Sequence, residues 1–285
     1  MRRSTTSAAT DRRRAAHPRS RSRLAALLVA ELICALLLIG RADVAPVPSV
    51  ATPANPTALT TPTAESRVQT LNDDRTVRLI GLGGPRTEKL LTRIAVEMNG
   101  AADAVTAFWG PQWPPEVVIA VAGSDAQFAA VGGGDSHTAA TATAERIMFA
   151  PGAADMSDAA LRIVLRHELF HYAARARTAP DAPRWLTEGV ADYVARPATP
   201  RPGPSAVRLP TDAELAGPER SLAYDRAWWF SRFVADRYGP GTLRELYQRA
   251  CSPGHPDVAT AVQDTLGVGQ ASLLAQWQQW ATGQT

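Results

Sequence analysis

The chain has 285 residues, 45% of them hydrophobic and 20% charged, a balance that excludes a wholly disordered or collagen-like protein and suffices for one large domain or two small ones. Its formal net charge of +3 averages unlike parts: residues 1–23 hold eight arginines against the single acid Asp11, so of 30 basic and 27 acidic residues, 22 and 26 remain from position 24 onward. That weakly acidic body argues against a nucleic-acid-binding face, which needs a surplus of basic charge on the folded part.

Residues 24–40 read LAALLVAELICALLLIG, a 17-residue apolar run behind the arginine-rich flank. Arginine on the N-terminal side predicts that this end stays in the cytoplasm and the rest is exported. The run is at the short limit for a spanning helix and slightly long for a signal core. Glu31 lies within it, at a cost of roughly 2.5–3.5 kcal/mol that the surrounding leucines and isoleucines can offset. Gly40-Arg41-Ala42 is a weak cleavage site. The segment therefore reads as a single transmembrane anchor, or as a signal segment if cleaved, with 1–23 as a basic cytoplasmic tail. Residues 41–66 are rich in Pro, Thr and Ala, and Pro46, Pro48, Pro53, Pro56 and Pro62 forbid a helix or a central strand. They predict a disordered, semi-extended linker. Cys34 and Cys251 fall in unlike environments, so no disulfide framework is expected. Abundant alanine and a single lysine, Lys89, are the compositional habit of a GC-rich bacterial genome.

The folded part is expected over 67–285. Thr76–Leu82 reads as a strand. Thr87–Trp109 reads as a helix, with Leu90, Leu91, Ile94, Met98 and Ala102 at helical spacing. Pro111, Pro114 and Pro115 end it. Glu116–Val121 is a short apolar strand, and Ser124 caps a helix through Ala130. Gly132-Gly133-Gly134 reads as a loop, since no Gly-Lys-Ser/Thr follows to make a phosphate cradle. Arg146–Phe149 reads as an edge strand, and everything after Ser157 as helices. Strands first and helices after give an α+β class: a small N-terminal mixed sheet with helices, then a mainly helical part.

Ser157 is a good N-cap. The helix behind it carries Leu161, Leu165, Leu169 and Tyr172 on one stripe and His167 and His171 on another side, so it buries two faces. Arg162 and Arg166 are expected to point outward. His167-Glu168-Leu169-Phe170-His171 is the H-E-x-x-H pattern. Two imidazoles four residues apart project from one helical face and can both reach a Zn²⁺ at about 2.0–2.1 Å. Glu168, beside the first histidine, is placed to take a proton from water. In Pro183–Ala195, Glu188 and Asp192 again share one face: Glu188 can supply a third ligand, and Asp192 can accept a hydrogen bond from a ligand histidine or pair with Arg196. Trp185 and Tyr193 are expected to wall or support the site.

HELFH followed by WLTEGVADY resembles the gluzincin metallopeptidases, the peptidase MA-like group related to thermolysin and the M1 aminopeptidases. The resemblance implies a zincin-like domain in which His167, His171 and Glu188 bind zinc and Glu168 is the general base, with a peptide or protein as substrate. Asp192 matches the acid that follows the third ligand in thermolysin-like enzymes. Tyr224-Asp225-Arg226-Ala227 is similar to the Tyr-Glu-Lys-Gly segment of the M1 group, which implies that the Tyr224 hydroxyl stabilises the tetrahedral intermediate. The Gly-Ala-Met-Glu-Asn exopeptidase motif of the M1 enzymes is absent, which favours an endopeptidase over an aminopeptidase. The alternative left open is a catalytically silent domain of this fold that binds a cell-envelope partner. His255, in a Pro/Gly-flanked segment, and His137, after the glycines, read as loop histidines. Trp228, Trp229, Phe230, Phe233, Leu273, Trp277 and Trp280 read as helix core.

Overall fold

The structure, a computed structural model, describes residues 65–132, 138–203 and 207–283. The expected tail (1–23), apolar segment (24–40), all but the end of the linker (41–66), and His137 lie outside them. Among the described residues no helix is long and apolar enough to cross a membrane.

Among the described residues five strands form one mixed sheet: β1 (Glu65–Thr70), β2 (Thr76–Gly81), β3 (Glu116–Val121), β4 (Ala140–Ala142) and β5 (Ile147–Phe149), in the order β1-β2-β3-β5-β4. The pairs β2–β3 and β3–β5 are parallel, and β1 and β4 run antiparallel to their neighbours. Pairing starts at Glu65, opposite Gly81, two residues inside the expected linker. Arg146–Phe149 is not an edge strand. Its core, β5, lies between β3 and β4, so the edge on that side is Ala140–Ala142. Strand β4 escapes a sequence reading because the run TAATAT alternates two small residues and carries little apolar contrast.

Strand alternation divides the core. Val77, Leu79, Val117, Ile119, Val121, Ile147 and Phe149 join the main hydrophobic cluster, whereas Ala120 and Met148 face a smaller one with Phe128. Helix α1 (Pro85–Trp109) packs on the main side, and α2 (Asp125–Gly132) supplies Phe128 to the other. A 3₁₀ turn (Pro151–Asp155) leads into α3 (Asp158–Ala174), which lies against α1. Among the described residues six α-helices follow: α4 (Arg184–Ala195), α5 (Asp212–Leu215), α6 (Arg220–Tyr238), α7 (Pro240–Cys251), α8 (Val258–Leu266) and α9 (Gln270–Thr282). This is the α+β arrangement expected, a mixed sheet followed by helices.

The expected helix punctuation is present. Ser157 Oγ accepts from the Ala160 amide at 3.2 Å. Gly239 takes φ 98°, a conformation open to glycine, where α6 ends and Pro240 starts α7. Arg162 does not simply point outward: it forks onto Glu97 of α1 at 2.7 and 2.8 Å and holds α3 to that helix. Cys251 is fully buried, and burial pushes its thiol up, so it behaves as a small apolar residue.

Candidate metal centre

The site is assembled by two helices that the core holds from behind. On α3, Phe170 sits inside the H-E-x-x-H pentapeptide and turns its ring into the core, 6.1 Å from the His171 ring. Its ring meets Phe108 (5.9 Å between centroids), Trp109 (5.7 Å) and Tyr247 (5.5 Å), all edge-on. That aromatic base fixes the rotation of α3 about its axis and so the direction in which His167 and His171 project. On α4, the Asp212 carboxylate accepts from the amides of Arg184 (3.0 Å) and Trp185 (2.8 Å), satisfying donors at the start of the helix. Gly189 brings α4 close to α6: a Cβ there would lie 2.4 Å from the Ala227 carbonyl oxygen. The residue beside Glu188 must therefore lack a side chain for α6 to pack where it does.

His167, His171 and Glu188 converge. The two Nε2 atoms are 3.0 Å apart, and Glu188 Oε2 lies 3.2 Å from His167 Nε2 and 3.6 Å from His171 Nε2. Ligands about one tetrahedral ion at 2.0–2.1 Å are about 3.3 Å from each other, so these three atoms have the spacing of a coordination face. His167 Nδ1 is 2.9 Å from Asp192 Oδ1. A carboxylate accepts only, so Nδ1 carries the proton and Nε2 turns a lone pair inward. Glu188 Oε1 is buried with no hydrogen-bond partner among the described residues, its nearest cation being Arg184 Nε at 3.8 Å. With its proton on Nδ1, His167 turns the Nε2 lone pair toward Glu188 Oε2 at 3.2 Å, and two buried acceptors facing each other beside a second imidazole are costly for the chain alone and relieved by a cation. Two imidazole nitrogens and one carboxylate oxygen are a donor set that suits zinc. The cluster fits a Zn²⁺ cofactor held by His167, His171 and Glu188.

Burial grades the site. His167, Glu188 and Asp192 are 0% exposed, Glu168 is 1% and His171 is 8%, so solvent reaches the centre on the His171 side. Burial acts to raise the Glu188 carboxyl, but His171 and His167, when protonated, outweigh it and hold that carboxyl below the usual range.

Glu168 follows His167 on α3 and is buried with it. Tyr224 is 2% exposed on α6, one turn before Ala227, on the helix packed against α4. Both readings of Asp192 hold at once: Oδ1 faces His167, and Oδ2 is 2.8 Å from Arg196 Nη2. Arg196 also reaches Asp225 Oδ1 at 2.8 Å. Trp185 supports α4 from behind by packing edge-on against Phe230 (5.3 Å). Tyr193 instead packs on Phe108 (5.6 Å) and lines a separate cavity. It points there because it is one residue past Asp192, about 100° around the helix. His255 occupies the loop between α7 and α8 and donates through Nδ1 to its neighbour's carbonyl at 2.8 Å. Sequence reading missed Arg184, Asp212 and Asp225. Asp212 and Asp225 meet partners in other segments that no local spacing marks, whereas Arg184 stands four residues before Glu188 and could have been read from that spacing.

No protein-family model matches the chain, and no curated protein does. Among solved structures it is similar to a two-domain M1 zinc metallopeptidase variant crystallised with L-arginine, at 16% identity and a TM-score of 0.47 over 78% of this chain and 52% of the other. It is also similar to the M1 zinc metallopeptidase of Deinococcus radiodurans, at 17% identity and a TM-score of 0.45, again over 78% and 52%. The chain thus spans about half the length of the structures it matches.

Proposed function

We propose that the protein is a zinc-dependent peptidase that cleaves peptide bonds within chains, exported and tethered by residues 24–40. The observation that supports it best is the convergence of His167, His171 and Glu188, with Glu168 next in sequence to the first of them. Zinc held by those three supplies Lewis acidity toward a carbonyl and toward water. Glu168 takes the proton of the attacking water and delivers it to the leaving amine. The Tyr224 hydroxyl donates a hydrogen bond to the oxyanion, an interaction worth a few kcal/mol in comparable sites. Asp192 keeps the His167 ring in the tautomer and orientation that binding requires.

The test uses the full-length chain and fluorogenic peptides acetylated at the N-terminus, which an aminopeptidase would refuse. E168Q is expected to lower turnover by at least about 10²-fold with zinc content unchanged. Undiminished turnover in E168Q would refute the role of Glu168. No cleavage by the zinc-loaded wild-type chain would favour the binding-domain reading.

A further inference from the structure

We propose that Arg196 is a positioning residue of the metal centre: its guanidinium, enclosed between Asp192 and Asp225, holds the Asp192 carboxylate on His167 Nδ1 and ties α4 to the turn of α6 that carries Tyr224. The inference rests on the zinc reading and adds to it a residue that touches neither metal nor substrate.

A carboxylate that accepts one hydrogen bond is free to turn about its Cβ–Cγ bond. The second oxygen of Asp192 is not free, because it lies 2.8 Å from Arg196 Nη2 while the first faces His167 at 2.9 Å. Oδ1 has a hydrogen-bond partner in His167 and Oδ2 an ion-pair partner in Arg196 with no aligned hydrogen bond, so turning the carboxylate would separate both pairs. Arg196 is itself held in three ways. Its Nη1 donates to Asp225 Oδ1 at 2.8 Å, its Cζ lies 5.0 Å from the centroid of the Trp228 ring, and its backbone amide donates to the Asp192 carbonyl at 2.9 Å. The extended backbone at Arg196 ends α4 and lets the side chain fold back over the helix's last turn. A guanidinium is suited to this place because its planar fork spreads one charge over separate nitrogens, so that Nη1 hydrogen-bonds Asp225 while Nη2 pairs in charge with Asp192, whereas an ammonium is a single point. Asp225 follows Tyr224 directly, so the same bridge sets the position of that stretch of α6 relative to α4. Arg196 also forms part of the wall of a cavity of about 450 Å³ with Phe108, Tyr193, Trp228 and Arg232. Truncating its side chain opens the guanidinium's place to this cavity, so a free guanidinium ion has a route in.

The experiment is a zinc-affinity measurement by competition with a chromophoric chelator, on the full-length chain. R196A is expected to raise the zinc dissociation constant about 10–100-fold, the range for losing a partner behind a metal ligand. Guanidinium chloride at non-denaturing concentration is expected to recover most of that loss, and equal concentrations of ammonium chloride or urea are not. R196K is expected to fall between wild type and R196A. R232A, which shares Trp228 and the cavity but reaches neither acid, is expected to bind zinc as wild type does. Should R196A fail to fold by circular dichroism, R196K carries the test, and wild-type affinity in it overturns the proposal. Wild-type affinity in a folded R196A, or a loss that guanidinium does not reverse, overturns it as well while leaving the zinc reading intact. A wild-type chain without zinc affinity overturns both.

Discussion

Where α6 meets α9, Phe230, Phe233, Trp277 and Trp280 pack ring against ring, with Trp277 5.4 Å from Phe230 and 6.3 Å from Phe233. Where α3 meets α4, an equally enclosed space holds two imidazoles and the carboxylates of Glu168, Glu188 and Asp192. The first region is nearly complete as it stands: Trp280 Nε1 donates to Asp236, and only the Trp277 indole N–H lacks a partner among the described residues. The second leaves Glu188 Oε1, Asp192 Oδ2 and Arg196 Nη2 without hydrogen bonds among the described residues and has imidazole nitrogens turned toward each other at 3.0 Å. One region supplies folding free energy, and the other spends some of it to hold ligands in place. Stability and metal capacity should therefore separate under mutation.

The largest expected effect is on the apolar side. W277A removes a fully buried indole and should cost about 3–5 kcal/mol in denaturant unfolding, with zinc binding kept in the fraction that stays folded. Loss of zinc binding from folded W277A would break the division. Next, zinc at about a hundred times its dissociation constant should stabilise the wild-type chain by about 2.7 kcal/mol. H171A should show no such gain in thermal unfolding, because it lacks one of the three donors.

Gly189 belongs to both regions, since it follows Glu188 and meets Ala227. G189A should destabilise by about 1–3 kcal/mol as the new methyl meets the Ala227 carbonyl, and it should weaken zinc binding too. A change in stability alone, read by unfolding and chelator competition together, would show that the α4–α6 contact and the ligand position are independent.

The smallest effect concerns α5, which presents Asp212 to the start of α4. Glu214 closes a capping box with Thr211, and Arg208, with the Thr211 groups, holds its carboxyl down from the ordinary 4.5 to about 2. A lowered folded-state value means stability that is full above pH 4.5 and lost as pH falls toward about 2. The protection of the Glu214 amide, relative to its intrinsic exchange rate at each pH, should fall across that window in the wild-type chain but not in E214Q.

How much was legible in advance differs between the same two regions. The ligand set could be read because each half lies within one helix: His167 with His171, and Glu188 with Asp192, each four apart on a single face. Apolar spacing likewise located α1 and α3, and the EVVIAV run located β3. What local spacing could not carry was pairing over distance. Strand β1 is a polar, largely exposed edge with no alternation to mark it, and β4 is built of alanine and threonine. The place of β5 inside the sheet follows from β4 pairing with it. The link from Asp192 through Arg196 to Asp225 joins two helices 29 residues apart, so only the Asp192–Arg196 half showed as an i, i+4 spacing.

The central claim is that three side chains from α3 and α4 meet at one cation, and metal analysis of the purified full-length chain tests it most directly. After incubation with zinc and desalting, the wild-type chain should retain one equivalent and H171A should retain none. Wild-type protein free of zinc, or H171A that still holds an equivalent, would contradict the account.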